Sequence, residues 1–376
     1  MNIVILGAGM IGRAIALDLA SSFSVTCFDV SDQNLDLLVE RNSSIQIEQA
    51  DLKQYDQYSK WLDNFDIVVT AVPGFMGFDV LKEVIACGKD VVDISFFPED
   101  VLQLDKLAKE KKVTVITDIG VAPGMSNLIL GYHNEEMKVN NFECYVGGLP
   151  KIRSKPFEYK APFSPADVIE EYTRPARLKE NGQIITRPAL TDREYINLDG
   201  VGTLEAFNTD GLRSLLFTMP HIPNMKEKTL RYPGHVELII ALKQAGFFDD
   251  DGIDFDGKKI SPREFSSRIL FNNWKLGNEE ELTVMKLIIE GEKNNLAQRI
   301  EYDLLDLFDE KSKISSMSRT TGYTCTATVH LIAKKIFTEK GVFPPELVGK
   351  DKKCFDFVME YLKARNVNWR KKVTQD

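Results

Sequence analysis

Along the first third of the chain, short apolar runs alternate with stretches of helical period. The pattern predicts strands at Asn2 to Leu6, Val25 to Asp29, Ser44 to Gln49, Asp66 to Val72, Asp90 to Ile94 and Val113 to Thr117. Runs such as Ile3-Val4-Ile5-Leu6 and Ile67-Val68-Val69 are apolar at every position, which suits parallel strands covered by helices on both faces. A sheet with one wet face would alternate instead. Strands joined by helices in this rhythm predict an α/β chain with a Rossmann-type doubly wound parallel sheet. Its ligand crevice lies beyond the carboxyl ends of the strands.

The rhythm breaks between Gly120 and Asn127, where Gly120, Pro123 and Gly124 interrupt it and Ser126 is placed to cap a new helix. We therefore expect a dinucleotide-binding domain over residues 1–125 and a second α+β domain over 126–318 for substrate binding and dimerisation. In the second domain, Ile253-Asp254-Phe255 and Lys258-Lys259-Ile260 flank the hairpin signal Asp256-Gly257. Thr320 to Phe337 has helical period without an evident new core. The region 319–376 is expected to return to the first domain.

Composition narrows the function. Forty-three per cent apolar and 27% charged residues describe an ordinary globular chain, and 376 residues exceed the ~150 of a typical single domain. With 47 Lys and Arg against 56 Asp and Glu, the net charge of -9 argues against a nucleic-acid partner. The locally basic stretch Lys363 to Lys372 reads as a solvated tail. Five cysteines without CxxC spacing suggest neither a disulfide framework nor a zinc cluster, and fit a reducing cytoplasm. The four histidines show no metal-binding spacing. No apolar run reaches the ~18 residues of a membrane span.

Directly after the first strand comes Gly7-Ala8-Gly9-Met10-Ile11-Gly12, a GxGxxG that opens a helix. Gly7 permits the tight turn, Gly9 lets the backbone approach a pyrophosphate, and Gly12 allows close packing of helix on strand. Met10 and Ile11 begin the helix whose free N–H groups face the phosphates. Asp29 ends the second strand roughly 20 residues further on, where an acid can hold the adenosine ribose. No Lys or Arg lies between Thr26 and Asn34 to neutralise a 2′-phosphate, so the expected cofactor is NAD. Asp51 is expected near the adenine, and Ala71, Val72 and Pro73 beside the cofactor. For Asp51, plain loop chemistry is an equal alternative.

Asp118-Ile119-Gly120-Val121-Ala122-Pro123-Gly124-Met125-Ser126-Asn127 resembles the interdomain motif of the saccharopine dehydrogenase superfamily, in particular of lysine 6-dehydrogenases. Tyr145-Val146-Gly147-Gly148-Leu149-Pro150, Leu204-Glu205-Ala206-Phe207, Arg231-Tyr232-Pro233-Gly234-His235-Val236-Glu237 and Arg319-Thr320-Thr321-Gly322-Tyr323-Thr324 are similar to that family too. The resemblance implies a homodimer and NAD-linked oxidation of the lysine side-chain amine. Related saccharopine-type and carboxynorspermidine-type reductases, which act on secondary amines, are the alternatives. A catalytically silent NAD sensor is a reading of another class. The aromatics in Ser95-Phe96-Phe97 depart from the glycine-rich turn of lysine dehydrogenases.

Amine oxidation needs a free nitrogen lone pair, whereas a lysine amine with a pKa of ~10.4 is protonated near neutrality. His235 is the expected proton-transfer group, and Asp93 and Asp118 at strand ends are candidates to hold an ammonium. For both aspartates, a turn or capping role is an equal alternative. Arg231 offers a fork for a substrate carboxylate. For Arg231 and His235, an interface arginine and a satisfied histidine are equal alternatives. Arg319, Thr320 and Thr321, expected at the start of the last helix, offer backbone and hydroxyl donors. Glu205, Phe207 and Thr209 join the substrate site through the resemblance, although by periodicity alone Phe207 is a core residue.

Overall fold

The computed structural model describes residues 1–163, 165–277 and 279–375, without the side chains of Pro165 and Ala166. Six parallel strands come from the first third: β1 (Asn2–Leu6), β2 (Ser24–Asp29), β3 (Gln46–Gln49), β4 (Ile67–Thr70), β5 (Asp90–Asp93) and β6 (Thr114–Ile116). Ile3 and Ile5 point into one apolar core while Val4 and Leu6 point into another on the opposite face. That division is why the run Ile3 to Leu6 carries no polar position, whereas the edge strand β3 is polar and exposed.

The second unit is built on β7 (Lys138–Pro150), β8 (Ala176–Glu180), β9 (Gln183–Arg187), β10 (Glu194–Leu198), β11 (Gly202–Asn208) and β12 (Asn224–Arg231). The small hairpin β13 (Ile253–Phe255) and β14 (Lys258–Ile260) follows, then β15 (Glu281–Lys293) and β16 (Leu296–Leu307). Asp256 and Gly257 both take positive φ (51° and 76°), as a two-residue hairpin turn with matching twist requires. The last two strands are β17 (Gly341–Phe343) and β18 (Trp369–Gln375).

The first sheet runs β17-β6-β5-β4-β1-β2-β3, the dinucleotide-binding order extended by a seventh strand from the C-terminal region. The second is nine-stranded, with the path β10-β11-β12-β7-β15-β16-β18 and with β8 and β9 attached beside β12. Within it β12 pairs with β7 in parallel, while β15 and β16 are antiparallel neighbours. The stretch read from sequence as a basic solvated tail is therefore in part edge strand β18, paired along β16. Its lysines sit on a sheet edge, where such charges discourage pairing with other chains.

Two further details depart from the sequence reading. The helix after the interdomain crossing spans Met125–Glu136 with Gly124 as its cap, so Ser126 lies inside it and donates to Asn127. The long C-terminal helix spans Ser316–Ala333 and is capped by Ser315, which accepts from the Ser318 N–H. That helix packs on the first helix, Met10–Leu19, where Gly322 lies against Ala14 and Ile15 and Thr326 donates to Asp18 at 2.6 Å.

Candidate functional site

A cavity of about 1060 Å³ runs from the glycine loop to the face of the second sheet, at the large end of small-ligand sites. At its first end the glycines take three distinct positions. A Cβ on Gly7 would lie 2.4 Å from the Ala71 carbonyl oxygen, and Gly7 has φ +111°. A Cβ on Gly12 would lie 2.0 Å from the Gly7 carbonyl oxygen, so helix and loop touch backbone to backbone. A Cβ on Gly9 would meet nothing within 4 Å. The loop thus leaves a smooth cradle before a helix whose first N–H groups have no side-chain cap, the arrangement a pyrophosphate needs.

Asp29 takes part in building that cradle. Its Oδ2 accepts from the Ala8 N–H at 2.6 Å and its Oδ1 from the Ser31 N–H at 2.8 Å. Met10, Ile11, Asp51, Ala71, Val72 and Pro73 all line the same cavity. Arg13, outside the sequence window searched for basic groups, also lines it, and its guanidinium donates to the Ala8 carbonyl and Asn34 Oδ1. The residues present fit a dinucleotide.

At the far end, β12 presents Glu227, Thr229 and Arg231 to the cavity, because alternate residues of a strand share a face. Lys226 and Lys228 point to the other side and pair with Glu143 and Glu194. Arg231 is 2% exposed. Its Nη2 meets Glu171 Oε2 at 2.6 Å, its Nε donates to the Tyr172 hydroxyl at 3.1 Å, and its Nη1 donates to the Leu230 carbonyl at 3.0 Å. Glu171 comes from the helix Pro165–Thr173, which also brings Glu170 and, just beyond its end, Arg174. Asp210 pairs with Arg177, and Thr209 shares a 3.0 Å hydroxyl contact with Thr229.

Asp118 lines the cavity with φ +54°, held by a 2.8 Å ion pair from its Oδ2 to Arg213 Nε. Its Oδ1 is buried without a partner. The Phe96 ring lines the cavity between the Arg213 and Arg174 guanidiniums, 4.9 and 5.2 Å from its centroid. Phe97 is instead core, fully buried and edge-on to Phe78. The two aromatics after β5 therefore part company, one in the wall and one behind it.

Several residues expected at the site lie elsewhere. His235 is behind the wall: its Nδ1 meets the Phe157 carbonyl at 2.9 Å and its Nε2 the Tyr172 hydroxyl at 2.9 Å. Because the carbonyl can only accept, Nδ1 carries the proton and Nε2 accepts from Tyr172, whose oxygen accepts from Arg231. Burial and the nearby Arg231 charge push the imidazole down to about 3. It positions Tyr172 and stays neutral, which corrects the proton-transfer role expected from sequence. Asp93 is wholly buried, accepting from Thr70 at 2.6 Å and from the Ser95 N–H, and does not reach the cavity.

Glu205 pairs with Arg193, and Phe207 belongs to the core around Trp274. Arg319 lies inside the C-terminal helix, paired with Asp306 and donating to the Leu307 and Arg365 carbonyls, and Thr320 donates back to Ser316. Only Thr321 of that trio lines the cavity. Sequence reading passed over Glu171, Arg174, Asp210 and Glu227. The usable signals were the helical spacing of Asp167, Glu170, Glu171 and Arg174, and the two-residue period of Glu227, Thr229 and Arg231.

The His235 environment sets a pH dependence. An unfolded histidine gains its proton near pH 6.5, whereas the native one resists until about 3. Between those values the unfolded chain binds more protons, so the contribution of His235 is full above pH 6.5 and is lost with acidification. His133, pushed down to about 4 mainly by burial, acts in the same direction. Buried carboxyls that are pushed up, Asp93 to about 7 and Glu227 and Glu281 to about 8, act in the opposite direction, so the His235 contribution is read as a difference between proteins. The unfolding midpoint of the parent minus that of His235→Gln should fall from pH 7.5 to 4.5, and an unchanged difference would refute the account.

Among the described residues no group of three or more His, Cys, Asp or Glu is arranged to hold a metal ion, and no helix is long and apolar enough to cross a membrane.

Comparison with known proteins agrees with this architecture. Residues 3–116 match the family model described as saccharopine dehydrogenase NADP binding domain, and residues 120–367 match that of the saccharopine dehydrogenase C-terminal domain. The chain is 24% identical over 329 residues to alpha-aminoadipic semialdehyde synthase of Arabidopsis thaliana, covering 79% of this chain and 30% of that protein. It is 26% identical over 285 residues to saccharopine dehydrogenase [NADP(+), L-glutamate-forming] of Pyricularia oryzae, covering 72% and 63%. The chain thus spans less than two thirds of the length of these relatives. Apo saccharopine dehydrogenase (L-Glu forming) from Saccharomyces cerevisiae has the same fold, with a TM-score of 0.80 at 20% identity over 99% of both chains. With a pyridine-nucleotide-binding half and a second-sheet half both matched in order, and the cavity lying between them, the chain belongs to the saccharopine dehydrogenase family.

Proposed function

We propose that the protein is a pyridine-nucleotide-dependent amino-acid dehydrogenase of the saccharopine type. It makes or breaks a secondary amine between an amino-acid semialdehyde and the amine of a second amino acid. The observation that carries this reading is the single cavity joining the dinucleotide cradle to the charged face of β12. Such a substrate carries both carboxylates and an amine, and the cavity offers groups of both signs. Arg174 has a buried Nη1 without a partner, and the exposed Lys275 makes no ion pair among the described residues. These cations suit carboxylates, while Asp118 and Glu227 suit the nitrogen. The relatives favour this secondary-amine reading over oxidation of free lysine.

When bound, the nucleotide supplies a hydride acceptor. The chain's own residues then hold the substrate between the two units, shield it with Phe96, and manage the proton on its nitrogen. We assign the cofactor as NAD, because an acid at the end of the second strand, Asp29, would repel a 2′-phosphate on the adenosine ribose. The test is absorbance at the reduced-nicotinamide band with saccharopine, with semialdehyde plus glutamate, and with lysine, each with both nucleotides. Turnover of the secondary amine with NAD is expected. Turnover of lysine alone would move the assignment to primary-amine oxidation, a preference for NADP would overturn the role of Asp29, and no turnover at all would refute the dehydrogenase reading.

A further inference from the structure

We propose that Glu227 is the group that takes the proton from the substrate's ammonium nitrogen before hydride leaves the neighbouring carbon, and returns it in the reverse direction. This assignment rests on the dehydrogenase reading above.

Its basis is the way the cavity's charges are already committed. Glu171 is bound to Arg231, Asp210 to Arg177 and Asp118 to Arg213, so those carboxylates have guanidinium partners. Glu227 faces the same cavity, is 5% exposed, and has no ion pair among the described residues. Its side chain fills a slot left by Gly211, where a Cβ would lie 1.4 Å from Glu227 Oε1. The groups facing it are Glu171 from the helix Pro165–Thr173, Asp210 and Arg213 from the segment after β11, and the buried Cys144 thiol on the neighbouring strand β7. Burial, followed by the Glu171 charge, pushes the carboxyl up to about 8. A group that changes charge near neutrality is matched to moving a proton in either direction.

The chemistry requires such a group. A secondary ammonium R–CH2–NH2⁺–R′ has no lone pair, and loss of one N–H proton to Glu227 restores it. The lone pair then forms the C=N bond as the C–H bond breaks and its electron pair leaves as hydride. Water adds to the iminium carbon, the C–N bond breaks, and the products are an aldehyde and an amine. Overall, the ammonium, NAD⁺ and water give R–CHO, R′–NH3⁺, NADH and one proton.

The test uses the full chain loaded with nucleotide. Oxidation by the parent should show kcat/KM rising with pH to a plateau, with a midpoint near 8. Glu227→Gln should lower kcat at least ~100-fold and abolish that limb while the nucleotide Kd stays within about twofold. Glu227→Asp should recover part of the rate together with the limb. Gly211→Ala, which displaces the carboxylate without removing it, should also lower kcat. A parent-like rate and limb in Glu227→Gln would overturn the proposal. Should the parent turn over nothing, the dehydrogenase reading fails separately. Glu227 is then judged without turnover, by difference infrared spectra of the NADH-loaded protein at pH 9 on adding saccharopine or lysine. Growth of a protonated-carboxyl band that Glu227→Gln lacks sustains the proton transfer, and no such growth overturns it.

Discussion

Gly12→Ala is expected to abolish nucleotide binding and to lower the unfolding midpoint by roughly 5 °C or more. The added methyl would sit 2.0 Å from the Gly7 carbonyl oxygen and 3.0 Å from its carbon, both backbone atoms. Neither side can yield freely. The helix Met10–Leu19 is fixed by the buried Ala14, Ile15 and Leu19, and Gly7 is pinned by its N–H to the Phe28 carbonyl at 2.8 Å and by its closeness to Ala71. The strain must therefore open the loop that forms the phosphate cradle. Gly9→Ala is the informative partner. It has φ -62° and ψ -174° and an empty space where the methyl would go, so the protein should fold with parent stability. Nucleotide binding should nevertheless fall at least tenfold, because that space belongs to the pyrophosphate. Calorimetric titration with NAD, beside thermal unfolding, measures both. Parent-like binding by the two variants would refute the placement of the cofactor.

The second large effect concerns the polar wall. Glu171→Ala leaves the Arg231 guanidinium almost wholly buried without its counter-charge, and breaking a buried pair in this way costs about 3–5 kcal/mol. Because the Glu171 side chain is 19% exposed at the cavity, the lower end of that range is expected. Hydrogen bonds from Arg231 to Tyr172 and to the Leu230 carbonyl do not neutralise its charge. Replacing both partners by methionine removes the stranded charge and should restore most of the stability while destroying activity. Denaturant unfolding of Glu171→Met, Arg231→Met and the double methionine variant forms a cycle, and a cost below 1 kcal/mol for Glu171→Ala would show that the pair does not hold the wall.

The glycine loop was legible in the sequence because its demands are local. Gly7, Gly9 and Gly12 are spaced by the geometry of one turn between a strand and a helix, and Asp29 reaches Ala8 from the adjacent parallel strand. The central strands of the first sheet, such as β1 and β4, were legible for a similar reason, since burial on both faces keeps their runs apolar. β17 escaped notice because it is three residues long and joins a sheet whose other members lie far earlier in the chain.

Around the substrate end, residue type alone misled. His235, Arg319 and Glu205 have reactive side chains, but each is occupied by a partner, Tyr172, Asp306 or Arg193, that folding brings to it. Glu227 has no distinct sequence signal, because it alternates with Lys226 and Lys228 and no local feature shows which face of the strand meets the cavity.

The sequence by itself determined the first six strands, the small hairpin and the glycine loop, because periodicity and turn chemistry are set by residues a few positions apart. Only the tertiary structure decided which charges are neutralised and which stay available. Burial and charge neutralisation depend on contacts such as that of Glu171 with Arg231, 60 residues away, and on the removal of water from around them.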